Sequence, residues 1–145
     1  MTVNQISVFM ENTPGQLLEF TKLLEQHNID LRALSLAEAE DFGILRVIVD
    51  DSYKTVRMLK GEGYVCSVTQ VLAVEIPDQP GALVKILTVL GDSGVNLEYM
   101  YAFLGRKKDS AFMIFRVPDN DYAVKVLREA GIRPIDQEEL HQLFA

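Results

Sequence analysis

The chain carries Asn12-Thr13-Pro14-Gly15-Gln16-Leu17 and, with Pro80 standing 66 positions after Pro14, Asp78-Gln79-Pro80-Gly81-Ala82-Leu83. Each stretch follows an alternating apolar run, Ile6-Val8-Met10 or Leu72-Val74-Ile76, and precedes an apolar pattern of helical period. Both read as a strand-to-helix turn. The 145-residue chain is therefore read as two copies of one small unit.

Outward from the first turn, Leu17, Leu18, Phe20 and Leu24 share one broad helical face, and Asn28 is suited to the left-handed closure of that helix. A second strand from about Ile29 runs through Leu31, Leu34 and Leu36. A polar turn, Glu38-Ala39-Glu40-Asp41-Phe42-Gly43, returns the chain as Ile44 to Val49, a hairpin pattern. Asp50-Asp51-Ser52 are N-capping types for a helix marked by Tyr53, Val56 and Leu59 and closed at Gly61-Glu62-Gly63. Tyr64 to Val68 form a last strand. The order is βαββαβ, in which two helices cover one face of a four-stranded antiparallel sheet.

Residues 71–97 repeat residues 5–31: six of 27 pairs are identical, namely Val8/Val74, Pro14/Pro80, Gly15/Gly81, Leu17/Leu83, Leu24/Leu90 and Leu31/Leu97. Average composition gives about one or two. Gly94 replaces Asn28, an exchange that a left-handed cap allows. Aligning Arg46-Val47 with Arg116-Val117 makes the second hairpin about four residues longer, with Arg106-Lys107-Lys108 in its loop. Asp119-Asn120-Asp121 then cap a helix with the face Tyr122, Val124, Leu127, closed at Gly131. Arg133-Pro134-Ile135 read as a short edge strand. Asp136 and Glu139 have capping-box spacing for a terminal helix bearing Leu140, Leu143 and Phe144.

The expected fold class is α+β: two ferredoxin-like units, residues 1–68 and 69–145, the second with the short C-terminal helix. Val68-Thr69-Gln70 is too short for a tether, so the units are expected to pack as one body. Their third strands, Ile44–Val49 and Phe112–Val117, are apolar on both faces apart from Arg46 and Arg116. Such strands need a second layer, from the other unit or from a second chain.

Several function classes are disfavoured by composition. The net charge is −7, and the only basic run is the loop Arg106-Lys107-Lys108, so nucleic acid is not expected as a partner. No apolar run approaches the ~20 residues of a membrane span, and Met1-Thr2-Val3-Asn4-Gln5 is not a secretory signal. A cytoplasmic protein is expected. Cys66 has no partner for a disulfide or a zinc site and reads as a buried thiol. His27 and His141 lie far apart, and His27 falls at a helix C-terminus. The acids Asp50-Asp51 and Asp119/Asp121 open helices, which accounts for them without a cation. No catalytic constellation, metal site or cofactor site is assigned, and the chain is not expected to be an enzyme.

The turns make a site from backbone alone. Proline sets the approach angle, glycine admits a ligand, and the helix-opening amides near Gln16-Leu17 and Ala82-Leu83 suit a carboxylate. Asn12 or Asp78 can accept from an ammonium group. Carboxylate and ammonium are the two ends of an amino acid.

Twice, then, the chain resembles an ACT domain, the βαββαβ regulatory module of amino-acid metabolism, through its Pro-Gly turn after strand 1 and the Val95-Asn96-Leu97 start to strand 2. The resemblance extends to about Ile135 and is nearest to stand-alone tandem ACT proteins, some labelled acetolactate synthase regulatory subunits. It implies edge-to-edge pairing of sheets and an amino acid held between the turn of one module and the strand-2 start of another; a site that needs two modules, with third strands apolar on both faces, leads to the expectation of a homodimer or larger. Carried over by position, the ligand contacts are Asn12, Gly15, Gln16, Leu17, Asp30 and Leu31 in the first copy. In the second they are Asp78, Gly81, Ala82, Leu83, Asn96 and Leu97. Asp30 departs from the family's Asn. Crossed pairing of turns with strand starts combines Asn12 with Asn96 and Asp78 with Asp30. The amide pair suits a neutral amino acid, whereas two carboxylates repel a third, so the Asp30/Asp78 crossing is expected to be weaker. With no effector domain recognised, the output is expected to pass through a partner enzyme or regulator.

Overall fold

The computed structural model describes residues 1–38, 41–103, 105 and 107–143. Ala39 and Glu40 of the expected turn, Arg106 of the basic loop and Phe144 of the terminal helix lie outside the described residues.

In chain order the elements are β1 (Val3–Glu11), α1 (Gln16–Gln26), β2 (Leu31–Glu38), β3 (Phe42–Val49), α2 (Ser52–Gly61), β4 (Val65–Pro77), α3 (Ala82–Asp92), β5 (Tyr99–Phe103), β6 (Ser110–Arg116), α4 (Asn120–Glu129) and α5 (Gln137–Leu143). This is the ferredoxin-like order twice over. Two compact units result: Asn4–Thr69 is the first, and Gln70–Ala145 with Met1–Val3 is the second. No helix among the described residues is long and apolar enough to cross a membrane.

Within the first unit the strands lie in the order β2-β3-β1-β4, and within the second β4-β6-β5. In the first, Ile6 faces Val47 and Val8 faces Leu45 across an antiparallel ladder. Paired residues share a sheet face, so this register puts four apolar side chains under the helices. There they join Phe20 and Leu24 of α1 and Leu59 of α2 in one core. The second unit repeats the arrangement with Leu72 opposite Phe115 and Val74 opposite Met113, packed with Ile86 and Leu90 of α3 and Leu127 of α4. Each fully buried aliphatic or aromatic side chain contributes about 1.5–3 kcal/mol.

The register corrects the repeat. Val47 and Phe115 occupy the same position, since their partners Ile6 and Leu72 are the 66-residue repeat, so the third strands are related by 68 positions rather than 70. The helix caps agree, with Asp51 matching Asp119, and so do the closing glycines Gly63 and Gly131. The second hairpin is thus two residues longer, not four, and Arg46 is not the counterpart of Arg116. The Arg-Val match was accidental; what fixes register is which residues face the helices.

Two further differences concern strands. The last strand of the first copy does not stop near Val68 but continues unbroken as β4 to Pro77. Nothing in the run Ser67-Val68-Thr69-Gln70 breaks an extended backbone. The short edge strand at Ile135 reduces to a single bridge, its amide donating to the Ala73 carbonyl at 2.8 Å. On the faces of β3 and β6 turned away from the helices, Ile48, Phe112 and Ile114 are buried.

Candidate ligand-binding site

Four of the helices divide into two kinds by how they begin. Asp51 caps α2 by accepting from the Lys54 amide at 3.0 Å, and Asp119 caps α4 by accepting from the Tyr122 amide at 3.1 Å. The helices after the Pro-Gly turns have no side-chain cap. Instead α1 starts at Gly15 and α3 at Gly81, with φ of +88° and +83°. A Cβ added at either glycine would meet nothing within 4 Å. Backbone angle, not crowding, therefore requires glycine here, and the space over each turn is open.

Both turns are exposed along Asn12–Gly15 and Asp78–Gly81, and Gln16, Leu17, Ala82 and Leu83 are half-buried behind them. The first turn is closed by Gln16 N–H donating to the Thr13 carbonyl at 3.4 Å, the second by Ala82 N–H donating to the Gln79 carbonyl at 3.3 Å. An uncapped helix N-terminus presents amides and the positive end of the dipole, which together favour an anion such as a carboxylate. Glu19 in the first turn of α1 opposes this, whereas α3 has no acid there.

The other half of the expected site is the start of strand 2. Asp30 and Asn96 are exposed, and Leu31 and Leu97 are half-buried. Leu31 opens β2, but Asn96 and Leu97 lie in the loop before β5, because that strand begins only at Tyr99. Since β1 and β2 are both antiparallel to β3, they run parallel to each other. The turn after β1 and the start of β2 therefore sit at opposite ends of the first unit's sheet, roughly 25 Å apart for a strand of this length. Asn12 and Asp30 are not brought together within their unit. The same holds for Asp78 and Asn96 in the second.

Around Asp30 the structure shows partners that the sequence reading left out. Arg32 Nη1 lies 2.9 Å from Asp30 Oδ2, and Asp50 Oδ1 accepts from the Asp30 amide at 3.3 Å. Together with Thr21, Asn28 and Leu31 these residues line an open groove of about 490 Å³. Arg32 stands where the β2–β3 register shifts between Leu31 and Ala33, so simple alternation does not place it beside Asp30, which precedes the strand. By its sequence Asp50 is only a capping type. Asp51 performs the capping, which leaves Asp50 to order the strand start.

Other chemistry-bearing residues have these surroundings. His27 ends α1, and its carbonyl accepts from Lys54 Nζ at 3.3 Å. Burial pushes the half-buried Cys66 thiol up, opposed by Lys60. Among the described residues no group of three His, Cys, Asp or Glu side chains is placed to hold a metal.

The family model of the ACT domain pair matches residues 1–144. The crystal structure of protein BT0572 from Bacteroides thetaiotaomicron is similar over 98% of this chain and 97% of its own, with 38% identity and a TM-score of 0.90. The ligand-free regulatory subunit of aspartate kinase from Thermus thermophilus shares the fold at 14% identity and a TM-score of 0.63, over 88% of this chain and 91% of its own. The corresponding subunit from Thermus flavus does so at 15% identity and a TM-score of 0.62, over 98% and 92%. No curated protein matches the chain. With two βαββα units, each opened by a Pro-Gly turn onto an uncapped helix, the chain belongs to the ACT domain-pair family.

Proposed function

We propose that this protein is a non-catalytic amino-acid-binding regulator of the cytoplasm. A small amino acid places its carboxylate over the helix N-terminus that follows Gly15 or Gly81, at the amides of Leu17 or Leu83 beyond the turn-closing bonds of Gln16 and Ala82. Asn12 or Asp78 accepts from its ammonium, and the strand-2 start of a different module completes the contacts with Asp30-Leu31 or Asn96-Leu97. The observation that carries this reading is the contrast among α1–α4: α2 and α4 begin on a capping aspartate, whereas α1 and α3, after the Pro-Gly turns, begin on a left-handed glycine without a side-chain cap. Such ends suit an outside anion.

A module that cannot complete its own site also favours self-association as a homodimer or larger. Light scattering that returned a 16.3 kDa particle at micromolar concentration would count against it. Output passes through a partner enzyme or regulator. Thermal-shift titration of the common amino acids tests the binding reading. One or a few should raise Tm at millimolar concentration, as mass action requires of any ligand of the native state. No shift from any of them would sink it.

A second reading, a regulatory subunit of an amino-acid biosynthetic enzyme such as acetolactate synthase, is favoured by one observation. Two such units make up nearly the whole length of a separate chain described as a regulatory subunit of aspartate kinase. Co-purification with a catalytic chain distinguishes it from a free-standing sensor.

A further inference from the structure

The two units differ at one matched pair of positions beside their Pro-Gly turns. In the first, Phe9 of β1 and Phe42 of β3 meet with ring centroids 6.0 Å apart. By register the counterparts in the second are Glu75 of β4 and Ser110 of β6. There Ser110 Oγ donates to Glu75 Oε1 at 2.8 Å, and Lys107 Nζ lies 2.6 Å from the same oxygen. An apolar contact has been exchanged for a three-membered polar one.

This polar contact reaches the second turn through the backbone. Lys107 and Ser110 flank Asp109, whose carbonyl accepts from the Asp78 amide at 2.9 Å. Asp109 holds a left-handed φ of +61°, a conformation that aspartate tolerates better than most non-glycine residues and that turns the hairpin here. The two residues that follow Glu75 lead into Asp78. The hairpin is therefore tied to the turn at two places, by the side chains at Glu75 and by the main chain at Asp78.

We propose that Glu75, Ser110 and Lys107 form a latch that positions the second Pro-Gly turn, so that the two turns of this chain are unequal ligand sites. Breaking the latch frees the hairpin, loosens the Asp109 carbonyl from the Asp78 amide, and lets the amides after Gly81 lose their aim. The first turn, backed by Phe9 and Phe42, is indifferent to the same changes. An isolated exposed ion pair holds little. This one shares its acceptor oxygen with a hydroxyl donor, and its ends lie three positions from the turn and two from the carbonyl that binds it. The part of the proposal that concerns ligand rests on the amino-acid-binding reading; the part that concerns the turn does not.

Amide hydrogen exchange on the ligand-free protein decides the latch. Glu75→Gln and Lys107→Met should speed exchange at Asp78 and Ala82 several-fold, while Gln16 in the first turn and the control Lys108→Met stay at the wild-type rate. Unchanged exchange at Asp78 in both variants, or an equal rise with Lys108→Met, overturns it. Calorimetry then separates the two claims. An amino acid that occupies the second turn of the wild type should bind Lys107→Met about three- to tenfold more weakly, and equal affinity overturns the positioning role. Fast exchange in Lys107→Met combined with no amino acid binding to the wild type rejects the binding reading and leaves the latch standing.

Discussion

Arg32 holds Asp30 at 2.9 Å, and the arginine side chain is only 18% exposed against 60% for its partner. The carboxylate at the start of strand 2 is thus ion-paired, which weakens the argument that two bare carboxylates would repel a ligand there. The burial is asymmetric, and so should the consequences be. Arg32→Met should lower stability by about 1–3 kcal/mol through lost charge-assisted bonds and stem packing, whereas Asp30→Asn should cost well under 1 kcal/mol. Denaturant midpoints measure both, and equal losses would contradict the assignment.

The Asp caps make a second pair of contrasts. Asp51→Ala and Asp119→Ala should each cost about 1 kcal/mol, because each removes the acceptor of an orphan helix amide. Asp121→Ala removes only an acid in the first turn of α4 and should cost about 0.5 kcal/mol or less. A larger loss at Asp121 than at Asp119 would point to a role for the acids beyond capping.

Two glycines should be intolerant for different reasons. At Gly15 the φ of +88° strains any L side chain although space is open, so Gly15→Ala should cost about 1–2 kcal/mol and Gly15→Asn less. A Cβ at Gly105 would stand 2.6 Å from Cε2 of Phe112, a ring fully buried and stacked on Phe103 at 5.2 Å. Gly105→Ala should therefore cost about 1–3 kcal/mol by overpacking, and Phe112→Leu in the same chain should recover part of it. Failure of that rescue would locate the strain elsewhere.

Acid should weaken the contact at Glu75. The hydrogen bond from Lys107 holds this carboxyl below its ordinary value of 4.5, with Ser110 adding to the effect and desolvation opposing it. A lowered folded-state value means that the contribution is fully present above the ordinary value and is lost as pH falls through the folded one. Carbon-detected NMR titration should show the Glu75 midpoint below 4.5, moving up in Lys107→Met. A midpoint indifferent to that substitution would refute the cause.

Much of the fold was legible because periodicity and turn chemistry agree. Ile6, Val8 and Met10 alternate, Phe20 and Leu24 recur at helical spacing, and the left-handed closures at Asn28 and Gly94 fall where the exchange predicted. What escaped was either a matter of register or of distance. The Arg-Val pairs misled because identity in a short strand carries less information than the alternation that decides which face is buried. The Arg32–Asp30 pair sits at a register shift between Leu31 and Ala33, and Asp50 reaches the Asp30 amide from 20 positions away, neither of which a local pattern reveals. Turn residues at Pro14-Gly15 and Pro80-Gly81 were readable because their chemistry is in the backbone itself.

The unbroken course of β4 from Val65 to Pro77 has an evolutionary corollary. A boundary between repeats that falls in a loop tolerates insertions and deletions of any size, but this one falls inside a strand whose side chains alternate sides. Cys66 packs against the first core and Leu72 and Val74 against the second, at even spacing along this one strand; adding or deleting a single codon between Thr69 and Val71 would leave each core its own residues but put the two sets at odd spacing, on opposite sides of the strand. Length changes here are admissible only in even steps. Within this lineage, drift in length is expected to collect in the hairpin before β6 while the joint between the copies keeps its frame.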